Sequence, residues 1–334
     1  MSKEKSSLTT EIDRNIYQRF DERNNVFGRM MYDKDSDFYK VGMYNLLGEI
    51  IGENVEGYTH LDFARVKGAW AVYNHFHQAF DWDEMTAPNT VMEEYSLETH
   101  EVTDKTAMSE FVKETAMIYG ACKAGITEVN EDWLYSHNIR GEPVETPKEF
   151  KNAIVMLIEM DRGPLKSSPS MKMGVENGLS YSKMAFVIGC MAQFIRGLGY
   201  RAIPMGNDTA LSIPLAVQAG LGELGRNGLL ITPEWGARVK ICKVFTDLPL
   251  AHDEPQNFGI TEFCKGCKRC AETCEVDAIS MDDEPSYDTV SKSNNQGIKR
   301  WAVDVDRCYK FWVTNGGDCS TCIGECVFSK RSMC

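Results

Sequence analysis

At 334 residues the chain is long enough for one large domain or two to three smaller ones, and its 43% hydrophobic and 25% charged residues suit an ordinary folded protein. A net charge of -13 argues against nucleic acid and against a polybasic membrane contact, since both need a basic face. No run approaches the ~18 apolar residues of a spanning helix. MSKEKSSLTTEIDRN has neither an apolar core nor a twin arginine, so a cytoplasmic protein is expected, or an exported one whose twin-arginine leader is absent from this chain.

In chain order, NNVFGRMMYD and FYKVGMYNLLGEIIG predict short helices. Residues 61–100 hold three histidines and little periodicity. Met108, Phe111, Val112, Thr115, Ile118 and Tyr119 share one side at helical spacing, which predicts an amphipathic helix over 104–120 ended by Gly120. AGITEV is strand-like. AIVMLIEM at 153–160 is a short apolar run, expected to be a buried strand. DRGPLKSSPSMKMG reads as a turn-rich connection, and YSKMAFVIGCMAQFIR (181–196) as a helix buried on all sides. YRAIPM, GLLITP and RVKICKVFTDLPL suggest strands and ALSIPLAVQAG a helix, giving a mixed α/β core over about 120–250. AHDEPQNFG (251–259) is a plausible linker.

The twelve cysteines carry the strongest signal. Eight lie between Cys264 and Cys326, in the runs Cys264-x2-Cys267-x2-Cys270-x3-Cys274 and Cys308-x10-Cys319-x2-Cys322-x3-Cys326. Such gaps indicate metal ligation, not a disulfide scaffold. Four thiolates per run suit one [4Fe–4S] cluster, and in two-cluster ferredoxins the fourth cysteine of each run crosses to the other cluster. Cys264, Cys267, Cys270 and Cys326 are therefore expected at one cluster, and Cys308, Cys319, Cys322 and Cys274 at the other. Two zinc sites would use the same eight thiolates, but the tight first run favours iron–sulfur. Cys190 and Cys242 read as small buried hydrophobes. The residues that follow Cys274 and Cys326 are Glu275 and Val327, where proline is usual.

AGLGELGRNG contains G-x-G-x-x-G at Gly220, Gly222 and Gly225. A dinucleotide fingerprint follows a strand and opens a helix; this one is expected to follow a helix and lead into a strand. His75 and His77 are two residues apart, which suits no shared helix face, and no histidine is assigned a role.

Three stretches, NGLSYSKM (177–184), RGLGYRAIPMGNDTALSIPLA (196–216) and AGLGELGRNGLLITPEWGARVKICKVFTDLPL (219–250), together with the double cysteine run and IYQRFDERNNVFGRMMYD (16–33), resemble the reductive dehalogenase family, to which epoxyqueuosine reductase is related. The resemblance implies an α+β or mixed α/β fold. Its body would be a nitroreductase-like core holding a base-off corrinoid (cobalamin), followed by a ferredoxin-like domain with two [4Fe–4S] clusters. The expected divisions are an N-terminal region 1–120 completing the corrinoid-binding body, a catalytic core 121–255 and a cluster domain 256–334.

The implied reaction replaces the halogen of a small organohalide by hydrogen, with electrons from an unidentified donor. A homodimer is compatible with it, and no nucleic acid is involved. Tyr181 falls at the family's proton donor, Lys240 at its basic partner and Asn207 at a helper amide. A phenol is a poor acid at neutral pH unless its anion is stabilised, and an ammonium and an amide can do that. Arg226 and Arg238 compete for the role of Lys240, and Phe27 is a weaker candidate for the substrate pocket. The chain ends eight residues after Cys326, where family members usually continue with a tail that helps to close the cofactor pocket. The rival readings are an epoxyqueuosine reductase-like cobalamin and iron–sulfur reductase, and a non-catalytic corrinoid or electron-transfer protein.

Overall fold

The computed structural model describes residues 10–42, 47–53, 55–76 and 99–330. Its elements run α1 Val26–Tyr32, α2 Leu47–Gly52, α3 His60–Phe76, α4 Lys105–Ile118, β1 Lys123–Glu128, β2 Asn152–Glu159, α5 Arg162–Leu165 and α6 Met171–Gly197. After these come β3 Ala202–Met205, α7 Ser212–Gln218, β4 Glu223–Leu224, β5 Leu230–Ile231 and β6 Val239–Thr246. The cysteine-rich part contributes α8 Ile260–Gly266, α9 Arg269–Glu272, α10 Val305–Asn315 and α11 Thr321–Gly324.

The central sheet has the order β1-β2-β6-β3, and all three of its pairings are antiparallel. Its two middle strands are covered on both faces, which explains why AIVMLIEM is apolar without alternation. Ala153, Val155 and Leu157 pack with α7 residues such as Leu215 and Ala216. Ile154, Met156 and Ile158 pack with Met184, Val187, Ile188 and Met191 of α6. Each such side chain removed from water contributes roughly 1.5–3 kcal/mol. Along β6 the same alternation sends Cys242 and Val244 toward α6 and Val239 and Phe245 toward α7.

The predicted helix at 104–120 is present: the Asp104 carboxylate caps the amides of Thr106 and Ala107, and Gly120 has φ +110°. Two predictions need correction. The long helix begins at Met171, ten residues before 181, so the end of the expected turn-rich connection is its first turns. Gly174 and Gly178 inside it are close-approach positions: a Cβ on Gly178 would lie 2.5 Å from the Trp70 ring. The stretch with little apparent periodicity contains α3, which packs along α6. Of the side chains expected to be buried, Cys242 is fully so, whereas Cys190 is only partly covered.

The G-x-G-x-x-G stretch follows helix α7 and forms the β4–β5 hairpin. A Cβ on Gly222 would lie 2.4 Å from the Ile231 carbonyl oxygen, so this glycine serves hairpin packing. The expected linker at 251–259 is pinned: the Asp253 carboxylate accepts the Ile126 amide at 2.8 Å and pairs with Lys113 at 2.7 Å. The N-terminal segment binds the cysteine-rich part through an Ile12–Ile298 bridge and an Arg29–Asp306 ion pair of 2.6 Å. Among the described residues no helix is long and apolar enough to cross a membrane.

Candidate active site and cluster-ligand groups

The structure brings Tyr181, Asn207 and Lys240 together from three elements. Tyr181 lies in α6, Asn207 just after β3, and Lys240 on β6 with the parity that faces α6. The Asn207 amide donates to the Tyr181 hydroxyl at 2.8 Å, and the Lys240 ammonium stands 4.9 Å from the centre of the Tyr181 ring. Asn207 is exposed while Tyr181 and Lys240 are half-buried, so the phenol lies at the edge of the core. An amide hydrogen bond and a nearby cation both stabilise a phenolate more than a phenol.

Two aromatic residues complete the wall. Trp70 stacks on Tyr181 with ring centres 5.2 Å apart, and Tyr73 packs at 5.1 Å. Burial pushes the Tyr73 phenol up to about 12, with Tyr181, Asp208 and Glu22 adding to the shift. The sequence reading missed both residues. Their signal was the series Val66, Trp70, Tyr73, which repeats at helical spacing and turns one side of α3 toward α6.

The competing arginines are engaged elsewhere. Arg226 is fully buried and donates to the carbonyls of Cys264, Lys265, Cys267, Ser280 and Asp282, with its guanidinium 4.8 Å over the Trp301 ring. Arg238 donates to the carbonyls of Ser329 and Met160 and pairs with Glu159 at 3.0 Å. Both therefore hold the cysteine-rich part to the body. Phe27 is 47% exposed and sets its ring edge-on to Tyr309 at 5.7 Å and beside Trp312, on the cluster side of the molecule.

The eight cysteines converge as two groups of four. Cys264 and Cys270 interact electrostatically with Cys326, from the far end of the second run, and these three line one cavity with Cys267. Cys308 and Cys322 interact in the same way with Cys319 and with Cys274, from the first run, and Cys322 also with Cys270 of the first group. Burial first, and the neighbouring thiols after it, push Cys264 to about 11 and Cys270 and Cys308 to about 12. Cys322 is driven well above its ordinary value by the same causes. Thiols gathered in this way become thiolates readily only with a compensating cation, which iron supplies. Among the described residues no group of three or more His, Cys, Asp or Glu is set for a single metal ion. A four-iron cube is larger than an ion and takes its thiolates at wider spacing, so the donor set and its grouping fit two clusters.

The second group touches the phenol site through one residue. Asp318 precedes Cys319, is buried, and accepts the Asn177 amide at 2.7 Å. Asn177 stands one helical turn before Tyr181 on α6. Burial raises the Asp318 carboxyl, while the Asn177 bond and the Lys240 charge oppose that.

Comparison with known proteins agrees with this layout. Residues 147–250 match the family model described as reductive dehalogenase subunit, and 263–329 the 4Fe-4S dicluster domain. Residues 147–250 thus form a domain of the reductive dehalogenase family. It is 34% identical to a tetrachloroethene reductive dehalogenase of Desulfitobacterium hafniense, over 83% of this chain and 63% of that protein. The enzyme of the same name from Sulfurospirillum multivorans is also 34% identical, over 70% of this chain and 52% of its own length. The chain thus spans less than two thirds of the curated relatives it matches. A solved reductive dehalogenase, whose structure suggests a mechanism for B12-dependent dehalogenation, matches with a TM-score of 0.74 at 24% identity, over 97% of this chain and 43% of that one. That likeness establishes the mixed α/β fold with its C-terminal ferredoxin-like part.

Proposed function

We propose that this chain is a reductive dehalogenase: a small organohalide R–X takes up two electrons and one proton and leaves as R–H and halide. The observation that carries the reading is the Tyr181 hydroxyl, held by the Asn207 amide at 2.8 Å, with the Lys240 ammonium over the same ring at 4.9 Å from its centre. Tyr181 gives its phenolic proton to the carbon that has lost the halide. Asn207 and Lys240 stabilise the phenolate left behind, which bulk water then reprotonates. Trp70 and Tyr73 form an apolar wall that excludes water and orients a flat or chlorinated substrate against the phenol.

The eight cysteines would hold two [4Fe–4S] clusters in the crossed arrangement of the two groups. Two polar atoms on the same wall, Asn177 Oδ1 and Trp70 Nε1, are buried without a hydrogen-bond partner. Buried polar atoms in that condition fit a wall that takes a polar cofactor, and these two, with the exposed Asn207 amide, would face a corrinoid. When bound, the clusters and the corrinoid supply the electrons and the low-potential metal centre that carbon–halogen reduction needs.

Tetrachloroethene is the first substrate to try, since the relatives at 34% identity act on it by name. The test is halide release by the reduced, anaerobically reconstituted protein with a panel of chlorinated and brominated compounds. Tyr181→Phe is expected to lower the rate by about 10²–10⁴-fold. Undiminished turnover by that variant would remove Tyr181 from the role. Reduction of a tRNA epoxide with no halide release from any compound would move the chain to the epoxyqueuosine reductase reading. Iron uptake without corrinoid uptake would support an electron-transfer protein.

A further inference from the structure

The α7 face of β6 carries a second lysine that the phenol site does not use. Lys243 is fully buried, three residues after Lys240 and therefore on the opposite face of the strand. Its ammonium donates to the Gly206 carbonyl at 2.6 Å, the Asp208 carbonyl at 3.0 Å and the Ser212 hydroxyl at 3.1 Å. The carbonyl between them, that of Asn207, accepts the buried Tyr135 hydroxyl at 2.9 Å. Three successive carbonyls of this turn, of which only Asn207 is exposed, are thus tied to side chains from the core.

The rest of the turn is fixed with equal care. The Asp208 carboxylate accepts the Gly206 amide at 2.8 Å and the Thr209 hydroxyl at 2.9 Å. Thr209 has φ +69°, a conformation a β-branched residue adopts only when its surroundings impose it. The Thr209 carbonyl in turn accepts the Tyr135 amide at 2.9 Å. The one side chain this turn extends to the catalytic face is Asn207, whose amide meets Tyr181.

We propose that Lys243 and Tyr135 are positioning residues: by tying down the carbonyls of Gly206, Asn207 and Asp208, they hold the Asn207 amide on the Tyr181 hydroxyl. Lys243 suits the task because its three N–H groups meet three acceptors and no carboxylate claims it. Asp208 and Glu22 are the acids whose charges act on it, and Cys242 is its neighbour along β6, pointing to the other face. Burial lowers Lys243 to about 8, so it still carries its charge near neutral pH. A plain structural anchor would hold the turn regardless of what Asn207 does. A positioning device must lose its effect when Asn207 is removed.

That difference sets the experiment, made on the full chain reconstituted with its clusters and corrinoid. The first measurement is the tyrosine Raman doublet that reports hydrogen bonding of the phenol. The Tyr181 signal of each variant is isolated by subtracting the same variant with Tyr181→Phe. Lys243→Met is expected to shift the doublet toward that of Asn207→Ala. The second is a double-mutant cycle in halide release, which alone rests on the dehalogenase reading. Lys243→Met should cost about tenfold in the native background and less than about twofold beside Asn207→Ala. An unchanged doublet, or the same rate loss in both backgrounds, overturns the proposal. If the unaltered protein releases no halide, the dehalogenase reading fails and the doublet still decides the clamp. Should Lys243→Met fail to fold, Tyr135→Phe removes one tether without changing core volume. It should shift the doublet in the same direction, and an unshifted doublet overturns the proposal there too.

Discussion

The two cysteine groups use the same four-thiol arrangement in opposite electrostatic settings. The first surrounds a buried cation. Arg226 sits against the carbonyls of Cys264 and Cys267, and its charge lowers the thiols of Cys264 and Cys270 against the stronger upward push of burial. The second adjoins a buried acid, Asp318, which joins it to Asn177 and Lys240 at the phenol site. A nearby positive charge favours the reduced, more negative cluster, and a carboxylate disfavours it. The difference teaches an order of use. The group beside the cation would accept electrons readily. The group beside the acid would be the stronger reductant, and it is the one next to the phenol site.

The largest effect tests whether the groups cross. Cys274 belongs to the first run in sequence and to the second group in space. Cys274→Ala should remove the signal of the second group in the electron paramagnetic resonance of the reduced protein. Iron should fall from about eight atoms per chain toward four, and dehalogenation should be lost. Loss of the first group's signal instead would mean that each run keeps its own cluster.

Arg226→Met should come next. It leaves five backbone carbonyls without their donor, at a cost of about 3–5 kcal/mol, seen as a lower denaturant midpoint. In molecules that remain folded, the potential of the first group should fall while the second stays in place. Equal movement of both would show that the cation acts on the whole region and not on one group. Asp318→Asn keeps the shape of the Asn177 contact and removes the charge. The potential of the second group should rise and halide release should slow by about three- to tenfold, about 1 kcal/mol of barrier. An unmoved potential would detach Asp318 from the second group.

The contacts of Tyr181 with Asn207 and Lys240 could be read from motifs, and the meeting of Cys326 with the first cysteine run from spacing. The sheet could be read in part. Apolar runs marked β2 and β6, but only the tertiary pairing shows them to be antiparallel neighbours. α3 could not be read as readily, because most of its residues face outward and only a narrow line of Val66, Trp70 and Tyr73 meets α6. The roles of Arg226 and Lys243 were beyond the sequence for a different reason. Their partners are backbone carbonyls of distant segments, and a carbonyl leaves no mark on residue identity. For the same reason Arg226 and Arg238 stood as competitors of Lys240 beside Tyr181 until the fold separated them.

Glu275 gives the finest test of the contrast between the groups. It replaces the usual proline and stands beside Cys274, which lies with the second group. Its carboxylate accepts the Thr321 hydroxyl at 3.4 Å, and that hydroxyl oxygen also lies 3.5 Å from Cys319 Sγ and 3.1 Å from the Ser168 hydroxyl. One hydroxyl hydrogen cannot serve a carboxylate and a thiolate together. Glu275 therefore acts on the second group twice in one direction, by its own charge and by drawing the Thr321 hydrogen away from sulfur. The hydrogen bond to Cys274 Sγ comes from the Ala278 amide at 3.3 Å and does not depend on residue 275 having an N–H. Glu275→Gln should thus raise the potential of the second group. The change should be only about 20 mV, because an exposed charge is worth a fraction of a kcal/mol. Thr321→Val in the same background should cancel the part carried by the hydroxyl. A rise that survives Thr321→Val undiminished would assign the whole effect to charge, and an unmoved potential would show that Glu275 does not act on this group at all.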